Sequence, residues 1–212
     1  MVKKLIGVVG LKGSGKDTTA DYIVNNYDNW EKWSFAGLLK DITAILFNMD
    51  RKMLAGETPE DRVLREQPNE YWSKVLGYTF TPRIALQKLG TDVLRHHFYD
   101  GIWVDSLRLK LIESEKNIVL SDVRFPNEIQ MIRSLGGEIW RVERDIPFWF
   151  KKCEELNSKG YNNDEIIKSI PELFNIHESE WSWIGLDNPN HILNVNGEFE
   201  YLYNQIRNIM NK

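Results

Sequence analysis

The sequence predicts an α/β protein built on a parallel sheet of about five strands. Three observations carry this: short β-branched runs alternate with helical periodicity, the first run leads straight into a glycine-rich turn, and the last helix bears a closing apolar stripe. Leu5–Val9 is short and apolar and ends at Gly10, as a strand buried on both faces does. Residues 17–27 set Ala20, Ile23, Val24 and Tyr27 at helical spacing, until the polar cluster Asn25-Asn26 and Asp28-Asn29 stops the helix. Residues 30–35 read as a second strand and 38–47 as a second helix. Further along, 118–121 is another buried strand, Pro126 opens a helix at its tolerated first position, and Glu138–Glu143 alternates as a strand after the Gly136-Gly137 break. Residues 191–195 complete the sheet. The helix over 198–210 then lines up Phe199, Leu202, Ile206, Ile209 and Met210.

Two insertions interrupt the alternation. Residues 48–116 read as wholly helical, and 145–190 mixes short helices with Gly, Asn and Pro breaks around Trp181 and Trp183, the kind of segment that forms a lid. The 212 residues fit a single domain carrying these insertions. With 42% hydrophobic and 27% charged residues the chain can bury a sizeable core, which excludes a disordered protein. A net charge of −4 gives no field to hold it on duplex DNA, so nucleic acid is not an expected partner. Cys153 is the only cysteine, and with four dispersed histidines it supplies no zinc cluster, which points to a reducing compartment. The apolar run within 1–10 is too short to span a membrane and lacks a signal-cleavage pattern, so a cytoplasmic location is expected.

The strongest signal is Gly10-Leu11-Lys12-Gly13-Ser14-Gly15-Lys16-Asp17-Thr18, which follows the first strand and opens the first helix. Glycines there let successive N–H groups point at phosphate oxygens, the helix terminus adds partial positive charge, and Lys16 neutralises the transferred group. A nucleoside triphosphate is the ligand this context implies. The strict motif places Ser or Thr after the lysine to hold magnesium, whereas this chain has Asp17 and then Thr18. A carboxylate beside a triphosphate is tolerable with a cation between them, so Asp17 is a candidate for the metal, directly or through water. Asp122 is the second metal candidate. It lies at the carboxyl edge of the 118–121 strand, where open α/β sheets place ligands; the plain alternative is a cap on the next helix.

A phosphate monoester is mostly doubly ionised at neutral pH, so as an acceptor it needs alignment and positive charge rather than a general base. The sequence offers arginines for this. Thr81-Pro82 starts a helix on which Arg83, Gln87 and Thr91 fall at i, i+4 and i+8, with Leu86, Leu89 and Val93 on another face. Gly90 sits beside that stripe; glycine costs roughly 1 kcal/mol against alanine in a helix, which implies a close approach to the backbone. Thr58-Pro59-Glu60-Asp61 starts another helix with Arg62 and Arg65 at i, i+3. Arg124 lies just beyond Asp122, and Lys40 follows the second strand and its Ala36-Gly37 turn. Taken singly, each is more often a surface cation.

Residues 13–21 (GSGKDTTAD), 87–93 (QKLGTDV) and 121–128 (SDVRFPNE) resemble the deoxynucleoside monophosphate kinase family of tailed bacteriophages. The similarity runs in order along most of the chain, taking in Trp103, the Arg144 that ends the fourth strand and His177-Glu178-Ser179-Glu180, and is weakest over 145–175. Asp-Thr after the lysine matches this family. The resemblance implies a P-loop nucleotide-kinase fold, ATP and Mg2+ as co-substrate and cofactor, and transfer to a deoxynucleoside 5′-monophosphate for phage DNA precursors. It implies that Lys12, Gly13, Ser14, Gly15, Lys16, Asp17 and Thr18 cradle ATP, with Arg144 touching the donor nucleotide. On the acceptor side it implies Lys40, Arg65, Arg83, Gly90, Thr91, Trp103, Asp122, Arg124 and Glu128, with Arg62 competing with Arg65. Lys16, Arg83, Asp122 and Arg124 are then the groups at the transferring phosphoryl, and Asp17 and Asp122 those near magnesium. It also implies a homodimer.

Some residues carry two readings. Trp103 is either a base-stacking platform or a core side chain. His177 reads as a hydrogen-bonding lid residue, Trp30, Trp33 and Trp140 as packing, and Cys153 lacks a polarising partner for nucleophilic work. Rival functions are another small-acceptor kinase with the same loop, such as a dephospho-coenzyme A or phosphomevalonate kinase, and a nucleotide-switched interaction protein.

Overall fold

The computed structural model describes residues 4–195 and 197–211; the first three residues of the stretch read for a targeting signal lie outside them. The chain divides into two compact units, one made of Met1–Ser34 with Arg108–Lys212 and the other of Phe35–Leu107.

The first unit is an α/β layer structure on a five-stranded, all-parallel sheet. Its strands are β1 (Leu5–Val9), β2 (Trp30–Trp33), β3 (Asn117–Leu120), β4 (Glu138–Glu143) and β5 (His191–Asn194), in the spatial order β2-β3-β1-β4-β5. β1 is central and buried at every position, which its unbroken apolar run requires. Alternate β1 residues face opposite ways. Ile6 and Val8 join Ala20 and Ile23 of α1 (Lys16–Asn26) and Leu202 and Ile206 of α11 (Phe199–Met210) in one core. Gly7 faces the other side, where a Cβ would come within 2.5 Å of Ile132 on α8 (Pro126–Ser134), so the absent side chain lets that helix lie close. β2 stops at Trp33, two residues short of the expected end: Trp33 pairs with Leu120, the last residue of β3, and beyond it the chain has no strand to pair with. Trp30 and Trp140 are buried packing residues, as read.

The 145–190 segment contains α9 (Phe150–Ser158), α10 (Asn163–Ser169) and two 3-10 turns, Pro171–Asn175 and Glu178–Glu180. Trp149, Phe150, Ile166, Leu173, Trp181 and Trp183 are all buried, so this insertion has an apolar interior. Arg141 of β4 anchors it through Glu154 at 2.6 Å.

The second unit is helical: α2 (Ala36–Phe47), α3 (Arg51–Ala55), α4 (Pro59–Leu64), α5 (Glu70–Leu76), α6 (Pro82–Gln87), a π-helical segment Lys88–Phe98, and the start of α7 (Ile102–Glu113). The helical region thus begins at 35 rather than 48, because α2 packs on α3, α6 and the π segment. Side chains cap the short helices: Asp50, Thr58, Asn69 and Thr81 each accept from a first-turn N–H, worth about 1 kcal/mol apiece. The helix expected to carry Arg83, Gln87 and Thr91 changes from α to π geometry at Lys88, between the second and third of these residues, and Val93, expected on the apolar face, is half exposed. Among the described residues no helix is long and apolar enough to cross a membrane.

Candidate active site

The parallel sheet brings the carboxyl ends of its strands to one edge, and the glycine loop leaves β1 there. Gly10 is required by crowding: a Cβ would sit 2.5 Å from both the Val142 carbonyl oxygen and Ser14 Oγ. Gly15, at the N-terminus of α1, has φ 106°, a left-handed conformation that disfavours any side chain. Within this loop Lys16 is 7% exposed, and its Nζ donates to the carbonyls of Gly10 at 2.7 Å and Leu11 at 2.8 Å. Burial, with the nearby Arg124 charge adding to it, pushes the Lys16 ammonium down to about 8. Glu180, Asp17 and Asp122 oppose that shift, so three carboxylates lie within electrostatic reach of the lysine.

Asp17 occupies the first turn of α1. Its Oδ1 accepts from Ser121 Oγ at 2.8 Å and pairs with Lys32 Nζ at 2.9 Å, while Lys32 also holds Asp21 at 2.9 Å. Partial enclosure raises the Asp17 pKa, but the bonds from Lys32 and Ser121 outweigh it and hold the carboxyl below its ordinary value. Both bonds fall on Oδ1, which keeps an ionised, largely exposed carboxylate beside the loop. Ser121 and Lys32 were not singled out in the sequence. Ser121 directly precedes Asp122 in the SDVRFPNE stretch, but nothing local shows its reach across the sheet to Asp17.

Arg124 and Glu128 follow β3. Glu128 is 3% exposed, and its Oε2 accepts from the backbone N–H groups of Arg124 at 2.7 Å and Phe125 at 3.1 Å. It therefore caps α8 and shapes the turn that presents Arg124. It is Glu128, at the third position of α8, that takes the capping role weighed for Asp122. Glu128→Ala is expected to destabilise the first unit by about 1–3 kcal/mol, since two part-buried donors lose their partner; urea unfolding measures this, and Glu128→Gln, which keeps an acceptor oxygen, should lose less. Arg124 Nη1 is paired with Glu180 Oε1, and Glu180 Oε2 accepts from the Lys12 N–H of the glycine loop at 3.0 Å.

Beside the loop, at the ends of β4 and β5, lies a cavity of about 540 Å3 lined by Glu143, Arg144, Asp145, Ile146, Asn194, Val195 and Gly197. Val195, which lines the cavity, also lies against Gly15 of the phosphate loop. Arg144 lies just past β4, half exposed, at this cavity.

The remaining candidates belong to the helical unit. Arg62 Nε and Nη2 donate to the carbonyls of Gly56 at 3.0 Å and Glu57 at 3.3 Å, which commits that guanidinium to its own turn. Arg65 differs. Its guanidinium lies against Gly56, its Nε is buried without a hydrogen-bond partner, and its backbone carbonyl accepts from Arg83 N–H at 3.0 Å. Burial first, then the adjacent Arg83 charge, pushes Arg65 below the ordinary arginine value. Arg83 Nε in turn lies 3.4 Å from Glu66 Oε1, so a carboxylate already stands beside these two cations. Gly90 is approached as expected, but by a side chain of its own unit: a Cβ there would lie 2.5 Å from Leu39 Cδ2. Trp103 is 6% exposed and donates to the Gly90 carbonyl at 3.0 Å, an interior placement that favours the core reading over an open stacking face. Lys40 on α2 and Thr91 in the π segment are both half-buried.

His177 hydrogen-bonds within its turn, its Nδ1 accepting from Ser179 N–H at 3.2 Å. Cys153 is fully buried and its thiol is pushed up to about 11 by burial, which leaves it inert as a nucleophile. Among the described residues no cluster of three or more His, Cys, Asp or Glu could hold a metal on protein ligands alone.

No protein-family model matches the chain. In outline it is similar to a shikimate kinase from Bacteroides thetaiotaomicron, at 11% identity and a TM-score of 0.46 over 99% of each chain. It is likewise similar to a dephospho-CoA kinase from Campylobacter jejuni, at 11% identity and a TM-score of 0.39 over 98% of this chain and 96% of that one. In sequence it is 35% identical over 156 residues to an Acanthamoeba polyphaga mimivirus protein described as "Putative deoxynucleotide monophosphate kinase", a match spanning 66% of this chain and 74% of the relative. With a glycine loop closing on a buried lysine at the edge of a parallel sheet, and with that kinship, the chain belongs to the deoxynucleotide monophosphate kinase family of P-loop kinases.

Proposed function

We propose that the protein transfers the γ-phosphoryl group of ATP to a deoxynucleoside 5′-monophosphate, giving the diphosphate and ADP, in the supply of viral DNA precursors. The observation that carries this reading is the placement of Lys16 in a glycine loop whose Lys12 amide shares the Glu180 carboxylate with Arg124: two cations stand at the loop where a transferring phosphoryl would need charge. The acceptor oxygen forms the new bond to the γ-phosphorus while the bond to the β-phosphate oxygen breaks and its electrons leave with ADP. A doubly ionised monophosphate has no proton to lose, so no general base is required. Arg65 and Arg83 are the acceptor-phosphate pair, and of the two competing arginines Arg65 is the one with unspent donors. The cavity at Arg144 suits the donor nucleoside in size, and Val195 of its lining lies against the loop at Gly15.

Magnesium would sit against Asp17, with Asp122 as a second candidate. The ionised, exposed Asp17 carboxylate fits a cation that keeps most of its water and borrows its remaining ligands from phosphates. When bound it would neutralise donor phosphate charge. Lys32 and Ser121 fix the carboxylate that faces it.

The reading is tested by a coupled ADP-release assay with MgATP and each common ribo- and deoxyribonucleoside monophosphate. Turnover should appear only with an acceptor present and should favour deoxy forms. Stimulation by dephospho-coenzyme A or phosphomevalonate alone would move the chain to the rival kinases, and slow acceptor-independent hydrolysis would favour a nucleotide switch.

A further inference from the structure

Glu180 is the residue of this site that neither the resemblance nor the phosphate chemistry assigns. It lies in the 3-10 turn Glu178–Glu180, far along the chain from the glycine loop, yet its carboxylate splits between two groups of the phosphate site. One oxygen takes the Lys12 N–H at 3.0 Å and the other takes Arg124 Nη1. These are the donors a phosphate would seek: an amide of the glycine loop and a guanidinium beside the loop lysine. We propose that Glu180 is a positioning residue of the phosphate site, a carboxylate that holds the Lys12 amide and Arg124 where phosphate oxygens bind and yields them when a polyphosphate arrives. The inference rests on the phosphate-loop reading above.

The turn is built so that only the side chain has to move. His177 Nδ1 accepts from Ser179 N–H at 3.2 Å, and Trp183 Nε1 donates to the Glu180 carbonyl at 3.2 Å. Trp181 and Trp183 are almost wholly buried on either side of Ser182, which fixes the backbone that carries Glu180. The Glu180 side chain is 19% exposed. A glutamate and a triphosphate cannot share one set of donors, since like charges a few ångströms apart repel even at high effective dielectric. Glu180 therefore keeps the loop amide and Arg124 hydrogen-bonded and aimed before substrate binds, at the cost of competing with it. Removing the charge should tighten polyphosphate binding, an effect opposite in sign to damage of a merely structural contact.

The test is calorimetric titration of inorganic tripolyphosphate, without metal, into the full chain as wild type, Glu180→Gln and Glu180→Ala. Both variants should bind about tenfold more tightly than wild type. Glu178→Gln, which removes the same charge two residues away, should change binding far less. Equal or weaker binding by the Glu180 variants overturns the inference while leaving the phosphate site intact. A wild-type protein that binds no tripolyphosphate overturns the phosphate-loop reading and this inference with it. If neither variant folds, the Lys12 amide resonance of labelled wild-type protein decides: it should shift on tripolyphosphate addition as its acceptor changes, and a fixed resonance shows that Glu180 keeps it.

Discussion

Lys16→Met is expected to lower kcat by about a hundredfold to a thousandfold, with the protein still folded. Methionine is close to lysine in length and suits a site where the side chain is 7% exposed, so the loss falls on charge rather than packing. Two loop carbonyls, Gly10 and Leu11, lose their donor, the first of them in a buried bond, so a stability loss of about 1–3 kcal/mol accompanies the change. A pH profile separates the electrostatic role from any other. Burial, and next the Arg124 charge, bring the ammonium down to about 8, so it is protonated below that pH and neutral above it. Wild-type kcat/KM for ATP, which reports the free enzyme, should fall as pH rises through about 8, and the methionine variant should lack that limb. Stability moves the other way. The folded pKa is depressed below the unfolded 10.5, so the unfolded chain binds more protons between about 8 and 10.5, and wild-type stability relative to the variant rises across that window. A profile and a urea midpoint indistinguishable between the two proteins would remove Lys16 from the site.

Arg124→Ala is expected to lower kcat by at least about a hundredfold, the scale on which a transition-state arginine acts in phosphoryl transfer. Its second effect comes from its partner. With the guanidinium gone, Glu180 is left as an uncompensated carboxylate on the Lys12 amide, next to the ATP phosphates, so the KM for ATP should rise as well. Adding Glu180→Gln should restore the KM for ATP without restoring kcat. That non-additivity is measurable as a double-mutant cycle, and strictly additive losses would show that the two residues do not act on one another.

Legibility in the sequence follows the distance over which each feature is built. The β1, glycine loop and α1 unit was readable because strand, turn and helix are contiguous, and the backbone demands at Gly10 and Gly15 are local. The sheet itself was readable from alternation, with strand ends misjudged by one or two residues where a neighbouring strand runs out first, as at Trp33. The switch from α6 to π geometry at Lys88 was not readable, since a helical pattern does not state its hydrogen-bond spacing. Gly90 was correctly singled out as a point of close approach, but only the fold shows that Leu39 makes it. That Arg62 is spent on backbone carbonyls while Arg65 keeps an unbonded Nε was not readable from their spacing. Lys32, Ser121 and Glu180 reach the loop from other strands and from the second insertion, so no short-range spacing announces them.

Phosphorus NMR of a reaction containing MgATP and a deoxynucleoside monophosphate tests the central claim most directly, because it follows the transferred group itself. The account predicts ADP and the deoxynucleoside diphosphate in equal amounts, with no inorganic phosphate. ADP accompanied by an equal amount of inorganic phosphate, with every monophosphate left unchanged, would contradict it.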